Sequence, residues 1–415
     1  MNGWRKWPAW LLPCLALTCL AAQVAPFVVY HVPGPSAIAA TSIPAWHPGG
    51  YDAADLARAH AFSRALLFGG MARSATWILA MLSLVACGVA AGFADSSKGR
   101  GQAWLVRVLL LVGLFLFLQL VELPYLVCRF FHFQAFGLTA LTLAGWTKLM
   151  LVGSIVPLAL FVLKYLLVVC SLPLFKRFWW IGACLCIFVL FEVVPEVASR
   201  RYPLDPVESL TPMGPGPHAD SMKAVIDRAG LDLPLMVVDL GERVNTANIY
   251  IAGRHGREYV VVTDTFLRQF TPEEVTLALG HELAHVRNRF TLLAIHKTLS
   301  FLTLASGFFL AFMLTGRSAL RISAAPRVVL VLMLSLALTS LVMQPLANSF
   351  YREQELQSDI RAVELAGDPA AYGRLLLKMA KLNLEPLDMP WWEKIFFSSY
   401  PSTTDRLAAL KRRAG

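Results

Sequence analysis

Long apolar stretches alternate with polar segments along this chain of 415 residues. Seven of the stretches approach the length of about 20 residues that a helix needs to cross a hydrocarbon core of about 30 Å. They lie near residues 8–28, 74–94, 104–121, 149–171, 179–197, 292–315 and 326–347. The pattern therefore predicts a mostly α fold, namely a polytopic membrane protein with about seven transmembrane helices.

Two segments are polar enough to fold in water, 199–291 and 348–415. They divide the chain into an N-terminal transmembrane region (1–198, about five spans), a polar segment, a two-span hairpin (292–347) and a C-terminal polar segment. Two crossings return the chain to the side of the membrane from which it started. We therefore expect the two polar segments to meet and to form one α+β catalytic unit.

The first polar segment predicts short helices and strands. In chain order these are a helix near 219–229, a strand near Leu235–Leu240, and a hairpin of Asn248–Ala252 and Tyr259–Thr263. The helix that follows has an explicit start, because Thr271 is the N-cap, Pro272 is the first helical residue and Glu274 completes a T-x-x-E capping box.

The composition supports a membrane location, since 57% of the residues are hydrophobic and only 15% are charged. We expect an integral, multi-pass protein of the cell membrane in a bacterium or of an endomembrane in a eukaryote. The net charge of +10 comes from basic residues scattered over loops, so we expect contact with membrane lipids and no nucleic-acid partner. None of the seven cysteines follows Cys186, which argues against a disulfide framework in the polar segments.

The first apolar stretch allows two interpretations. It follows Arg5 and Lys6 and contains small residues, as a secretory signal peptide does. Its hydrophobic run continues through Val28 and Val29, which favours a retained first span.

The well-capped helix carries the pattern H-E-x-x-H, with His281, Glu282 and His285. Residues four apart share one helical face, so both imidazoles can reach a single ion while Glu282 lies beside it. One zinc ion per chain is the expected cofactor, because zinc accepts neutral imidazole nitrogen and needs no redox chemistry. Glu282 would then take a proton from the attacking water and pass it to the leaving amine of a peptide.

A catalytic zinc site needs a third protein ligand, and Glu355 is the best candidate. A predicted helix from 348 to 366 places Asn348, Arg352, Glu355 and Asp359 along one stripe. Arg352 and Asp359 can then orient the groups that bind the metal. On spacing alone, Glu353 and Asp359 compete with Glu355 for the metal.

These residues resemble the integral-membrane zinc metalloproteases of the CAAX prenyl protease type, which process the C-terminal ends of prenylated proteins and are related to HtpX-type proteases. In that family the third ligand lies in a motif N-x-x-x-R-x-x-E-x-x-(A/S)-D, matched here by Asn348, Arg352, Glu355, Ser358 and Asp359. The resemblance covers most of the chain. It implies a helical barrel around an intramembrane chamber, with a zincin-like catalytic unit at one end.

The resemblance also implies roles for two further segments. The sequence Asn248, Ile249 and Tyr250 is similar to the strand that binds extended substrate through its backbone in the family. The family's H-P-x-x-x-E-R-L motif is matched only in part, because Tyr400 stands where the family has histidine, while Arg406 is retained. We expect Tyr400 to donate a hydrogen bond to the oxyanion, and Arg406 is the alternative donor.

Three functions remain open from the sequence. The first is a zinc-dependent membrane endopeptidase of the CAAX type, acting on peptide or protein substrates that are lipidated or membrane-embedded in the family. The second is an HtpX-like protease that removes misfolded membrane proteins. The third, from a different class, is a transporter or receptor with structural zinc. A structural site would need a fourth protein ligand, and no fourth His or Cys has suitable spacing.

The orientation in the membrane also has two answers. The excess of Lys and Arg in the short loops on the N-terminal side puts that side in the cytoplasm and the zinc face outside. The family resemblance puts the zinc face in the cytosol.

Overall fold

The computed structural model describes residues 11–30, 51–86, 103–201, 210–239, 247–253, 257–316 and 325–414. Its helices are α1 (Leu11–Val29), α2 (Ala53–Ala86), α3 (Ala103–Ala135), α4 (Leu143–Gly153), α5 (Ile155–Phe175), α6 (Trp179–Phe188), α7 (Val194–Arg201), α8 (Pro217–Arg228), α9 (Asp264–Gln269), α10 (Pro272–Thr315), α11 (Ala325–Ala366), α12 (Pro369–Leu382), α13 (Trp391–Phe396) and α14 (Thr403–Ala414). The strands are β1 (Leu210–Pro212), β2 (Leu235–Val238), β3 (Ile249–Ala252) and β4 (Tyr259–Thr263). The mostly α fold with a small sheet is the predicted one.

Five helical segments of the described chain are long and apolar enough to cross a membrane: Ala53–Val85, Leu111–Ala135, Leu143–Val197, Pro272–Thr315 and Arg327–Leu365. A multi-pass membrane protein is therefore confirmed, while the count of seven spans is not. The difference has two sources. The first predicted stretch forms a shorter apolar helix, Leu17–Val29, and the predicted spans 149–171 and 179–197 fall within one long segment.

The chain reverses within that long segment. Lys176 has a φ of 50°, and a 3₁₀ turn at Lys176–Phe178 separates α5 from α6. The two helices then pack against each other so closely that a Cβ at Gly182 would lie 2.2 Å from the ring of Phe175. The segment is therefore divided at Lys176–Phe178 into two apolar parts, with α4 and α5 before the turn and α6 after it.

The second and third predicted spans are much longer in the structure. Helix α2 begins at Ala53, well before the predicted start at residue 74, and residues 87–94 lie outside the described part. Arg64 and Arg73 are tolerated in the added turns because each has an acidic partner, Glu393 at 2.8 Å and Glu122 at 3.6 Å. A prediction from hydropathy alone ends a span at such charges, because hydropathy carries no information about an acidic partner elsewhere in the fold.

The motif helix and the membrane span after it form one continuous helix. Helix α10 has 44 residues and α11 has 42, so each is about 60–70 Å long, twice the thickness of a hydrocarbon core. The boundaries predicted after residues 291 and 347 therefore fall inside continuous helices. One half of each helix lies among the apolar helices, and the other half carries the polar residues of the catalytic unit.

The start of α10 is as predicted. Thr271 accepts a hydrogen bond from the Glu274 backbone N–H, at 3.3 Å, and the Glu274 carboxylate accepts one from the Thr271 backbone N–H, at 2.9 Å. This reciprocal cap satisfies two backbone donors that the first turn leaves without partners.

The sheet has the order β1-β2-β4-β3, with β2 and β4 parallel and the outer pairs antiparallel. The predicted hairpin is confirmed, since Ile249 lies opposite Val262. Strand β1 was not predicted, because its three residues lie in a segment rich in turn formers. Strand β3 is an edge strand, and the buried Val260 and Val262 of β4 join the apolar core beneath it.

Two glycines bring α10 and α11 into close contact. A Cβ at Gly280 would lie 3.3 Å from the backbone oxygen of Ala362, and one at Gly307 would lie 2.4 Å from the Leu336 side chain. Gly280 precedes His281, so beside the motif the two helices approach each other through backbone atoms. Backbone atoms cannot move aside as a flexible side chain can.

We therefore expect Gly280→Val to destabilise the protein by about 1–3 kcal/mol through overpacking against Ala362. The change would appear as a lower midpoint of thermal unfolding in detergent micelles. Gly113→Val is the matched control, because a Cβ at Gly113 meets nothing within 4 Å. Equal midpoints for the two variants would contradict the close approach of the helices.

Candidate active site

Three side chains from the two long helices converge at one point. The Nε2 atoms of His281 and His285 are 3.1 Å apart. Glu355 places one carboxylate oxygen 3.2 Å from His281 Nε2 and the other 3.5 Å from His285 Nε2. In the described part of the chain, these three residues are the only group of His, Cys, Asp and Glu side chains that could hold a metal ion.

The spacing of these atoms fits zinc. A tetrahedral zinc ion bonded to nitrogen or oxygen at about 2.0–2.1 Å separates its ligand atoms by about 3.3–3.4 Å. The observed separations of 3.1, 3.2 and 3.5 Å bracket this value. Two imidazoles and one carboxylate are also a donor set of catalytic zinc sites, which leave a fourth position for water or substrate.

The Asp359 carboxylate fixes the first histidine. Asp359 is completely buried, and its Oδ1 atom lies 2.8 Å from His281 Nδ1. This contact holds the ring so that Nε2 points toward Glu355 and His285. The predicted orienting role of Asp359 has the expected geometry, and Asp359 does not compete for the metal.

Two further residues complete the support of Asp359. The guanidinium of Arg406 donates to both carboxylate oxygens, at 2.7 and 2.6 Å, and the Tyr372 hydroxyl donates to Oδ1 at 2.7 Å. Burial raises the pKa of Tyr372 well above its usual value, so the hydroxyl stays protonated and remains a donor. The engagement of Arg406 with Asp359 favours a positioning role over the predicted contact with an oxyanion.

Sequence reasoning missed Tyr372 and the role of Ser358. Tyr372 is a single aromatic residue in the amphipathic helix α12, where nothing in its spacing distinguishes it from a core residue. Ser358 belongs to the quoted motif, and its Oγ lies 3.3 Å from His285 Nδ1. Each of the two imidazoles thus has a partner at Nδ1, as histidines that bind a metal through the other ring nitrogen usually do.

Asn348 and Arg352 lie on the predicted stripe but contact a different part of the unit. Asn348 donates to the backbone oxygen of Ile395 at 3.1 Å. Arg352 donates to the backbone oxygens of Lys394 and Ser398, the latter at 2.7 Å. They hold the end of α13 and the loop after it, which leads to Tyr400. Neither hydrogen bond orients His281, His285 or Glu355.

Tyr400 lies in the wall of a cavity of about 570 Å³ together with His281, Glu282, Glu355 and Arg406. Its side chain is 59% exposed. Partial burial and the neighbouring carboxylates of Glu355 and Glu282 raise the pKa of the Tyr400 phenol above its usual value. The phenol is therefore a neutral donor next to the metal ligands.

Glu282 lines two cavities. Besides the one that contains Tyr400, a second cavity of about 510 Å³ is lined by Glu282, His285, Glu355 and residues of the membrane half of α10. The two cavities share Glu282 and Glu355 in their walls. A chain that occupies both would pass directly over the point where the three ligands converge.

Strand β3 borders both cavities, with Ile249 in the wall of the first and Ile251 in that of the second. The backbone N–H and C=O of Asn248 both bond to Thr263, at 3.0 Å each. Because successive residues of a strand direct these groups to opposite sides, Ile249 and Ile251 direct theirs away from β4. Tyr250 lines neither cavity.

Comparisons with known proteins place these features in context. Residues 219–414 match the model of Peptidase family M48. The chain is 24% identical to the "Uncharacterized metalloprotease YhfN" of Bacillus subtilis over 291 residues, which span 66% of this chain and 65% of that protein, slightly under two thirds of its length. It is 28% identical over 227 residues to a "Protease HtpX homolog" of Methanopyrus kandleri, covering 48% of this chain and 69% of the relative.

A solved structure has the same fold. The crystal structure of S. mikatae Ste24p superposes with a TM-score of 0.71 and covers 99% of both chains, at 18% sequence identity. A bundle of membrane helices that carries an H-E-x-x-H helix and a third acidic ligand defines the class of integral membrane metalloproteases. The similarity to Peptidase family M48 covers residues 219–414, just under half of the chain. The family resemblance inferred from the sequence motifs is thereby confirmed.

The assignment of the third ligand can be tested directly. Glu355→Ala should lose bound zinc, because a carboxylate that contacts both imidazoles is removed. Glu353→Ala should keep it, since Glu353 is exposed and its carboxylate accepts a hydrogen bond from Gln357 instead. Zinc per chain is measured by elemental analysis of the purified proteins. Zinc loss in the Glu353 variant alone would show that the wrong carboxylate has been assigned.

Proposed function

We propose that this chain hydrolyses internal peptide bonds, using one zinc ion held by His281, His285 and Glu355. The observation that carries the proposal is the convergence of these three donors with Glu282 at the junction of two cavities. Zinc in this site would supply a Lewis acid for the scissile carbonyl. The remaining chemistry comes from side chains of the chain itself.

Glu282 is the general base and acid in this proposal. It follows His281 on α10 and contributes no ligand atom to the cluster of three. Its carboxylate accepts the proton of the attacking water and later transfers it to the leaving amine. Glu355 cannot take this part, because both of its oxygens face the imidazoles.

The edge of β3 is proposed to bind the substrate in extended form. The backbone groups of Ile249 and Ile251 point outward along this edge, so a peptide can add to the sheet as a fifth strand. Asn248 and Ile249 border the first cavity and Ile251 borders the second. A peptide bound along β3 therefore extends in both directions from the metal ligands, which supports internal cleavage over removal of a terminal residue.

Membrane-associated peptides or proteins are the proposed substrates. The second cavity is lined by Leu292, Leu293 and His296, on the part of α10 that continues into the membrane bundle. The first cavity lies among the water-exposed elements of the catalytic unit. A substrate that reaches the site from the bilayer surface can enter the second cavity without unfolding the enzyme. Both a CAAX-type and an HtpX-like activity are compatible with this geometry.

Glu282→Gln should abolish cleavage of a casein substrate in detergent micelles, with a loss of about 10²–10⁴ in rate, because the amide cannot accept the proton. Zinc content should stay near that of the wild type, because the residue is not a ligand. Glu353→Gln serves as the matched control and should retain activity. Loss of zinc from the Glu282 variant would instead make Glu282 part of the metal site.

Tyr400→Phe should lower kcat about 10²–10³-fold while zinc content and the thermal midpoint stay normal, because one oxyanion donor is lost. Tyr400→His should restore part of the rate, since the imidazole offers a donor at the same position. Steady-state kinetics on a fluorogenic peptide separate kcat from KM. An unchanged kcat in the Phe variant would remove the phenol from the mechanism.

A further inference from the structure

The cavity that contains Tyr400 has a carboxylate at a second place, away from the metal ligands. Glu385 lies in the loop after α12 and lines the same cavity of about 570 Å³ as His281 and Glu282. Pockets that bind small ligands have volumes of about 300–1,000 Å³, so this one is large enough for an amino-acid side chain next to the scissile bond. Nothing in the proposed hydrolysis uses Glu385.

The backbone fixes the position of Glu385. Its N–H donates to the backbone oxygen of Ala380 at 2.8 Å, and its C=O accepts a hydrogen bond from the Tyr51 hydroxyl at 3.1 Å. Leu384, directly before it, has a φ of 54°, a conformation that a leucine rarely adopts. The backbone of Glu385 is therefore held at both its N–H and its C=O.

The charge of Glu385 has no direct counter-ion. Within the described ranges, no basic side chain lies at ion-pair distance from it, and its side-chain partner is the amide of Asn383. Burial raises the pKa of the Glu385 carboxyl, while Arg406 and Asn383 lower it. Arg406 is already engaged by both oxygens of Asp359. Glu385 is nevertheless an exposed residue, and it lines the cavity.

The cavity wall that includes Glu385 contains apolar side chains besides its polar ones. Leu375, Leu376, Met379 and Met389 line the cavity together with it. Tyr400 lies within electrostatic range of Glu385 as well as of Glu282 and Glu355, and so connects this end of the cavity to the reacting end. An apolar wall that ends at a carboxylate suits a side chain with a long aliphatic stem and a cationic head.

We infer that this cavity is a specificity pocket for a lysine or arginine side chain adjacent to the scissile bond, with Glu385 as its acceptor. The inference rests on the proposed peptidase function and specifies its substrate class. Because the backbone of Glu385 is already held by Ala380 and Tyr51, a bound cation gains a partner without reorganisation of this loop.

The test uses two peptide libraries that are identical except that lysine is replaced in one by norleucine, which has the same aliphatic stem and no charge. Mass spectrometry locates the cut sites. The wild-type enzyme should cleave beside lysine about tenfold or more faster, in kcat/KM, than beside norleucine, because a charged hydrogen bond forms in the pocket. Glu385→Gln should reduce this ratio to about twofold or less, with norleucine peptides cleaved at the wild-type rate.

Glu353→Gln is the matched control, since it removes one charge on the exposed face of α11 and should keep the lysine preference. Equal cleavage beside lysine and norleucine by the wild type, or an unchanged ratio in Glu385→Gln, would overturn the specificity pocket and leave the peptidase function intact. Absence of chelator-sensitive cleavage of every peptide by the wild type would instead reject the proposed function itself.

Discussion

The buried carboxylate of Asp359 is the contact on which the catalytic unit depends. Removing a charged carboxylate from water costs several kcal/mol unless partners compensate for it. Here it has no solvent exposure and lies against His281, Tyr372 and Arg406 at hydrogen-bond distance. These partners come from α10, α12 and α14, while Asp359 itself belongs to α11. One anion thus joins four helices and orients a metal ligand at the same time.

Helix continuity adds a second constraint. Because α10 and α11 run from the apolar helices into the catalytic unit without a break, His281, His285 and Glu355 lie on the same continuous helices as the candidate membrane spans. The close approach at Gly280 and Gly307 fixes the two helices relative to each other at both levels. A site built on rigid helices keeps its ligand geometry better than one built on loops. The catalytic unit is therefore an extension of the membrane fold.

The parts of the site that could be predicted are those that depend on local periodicity. His281, Glu282 and His285 follow from helical spacing, and the capped start of α10 follows from Thr271 and Glu274. Glu355 needed the family motif in addition, because Glu353 is only two residues away.

The prediction failed where tertiary contacts decide the outcome. The sequence does not reveal that Arg352 binds backbone oxygens near Tyr400, or that Tyr372 supports Asp359, since these partners are distant in sequence. Span boundaries failed for the same reason, because charged residues with partners continue a helix that hydropathy would end.

The charges around the metal ligands explain why a divalent ion suits this site. Among the described residues that meet there, Asp359 and Glu355 carry two negative charges and Arg406 carries one positive charge. Burial raises the pKa of the Glu282 carboxyl to about 7, so this group is only partly ionised near neutral pH. With neutral imidazoles, the cluster has a net charge between minus one and minus two, which one Zn²⁺ would offset. Without the ion, the lone pairs of two imidazole nitrogens 3.1 Å apart would face each other and the Glu355 carboxylate. A proton between these atoms would then have to replace the ion. The same arrangement that orients the ligands therefore also makes the empty cluster electrostatically unfavourable, so metal binding contributes to the stability of the helix contacts around Asp359.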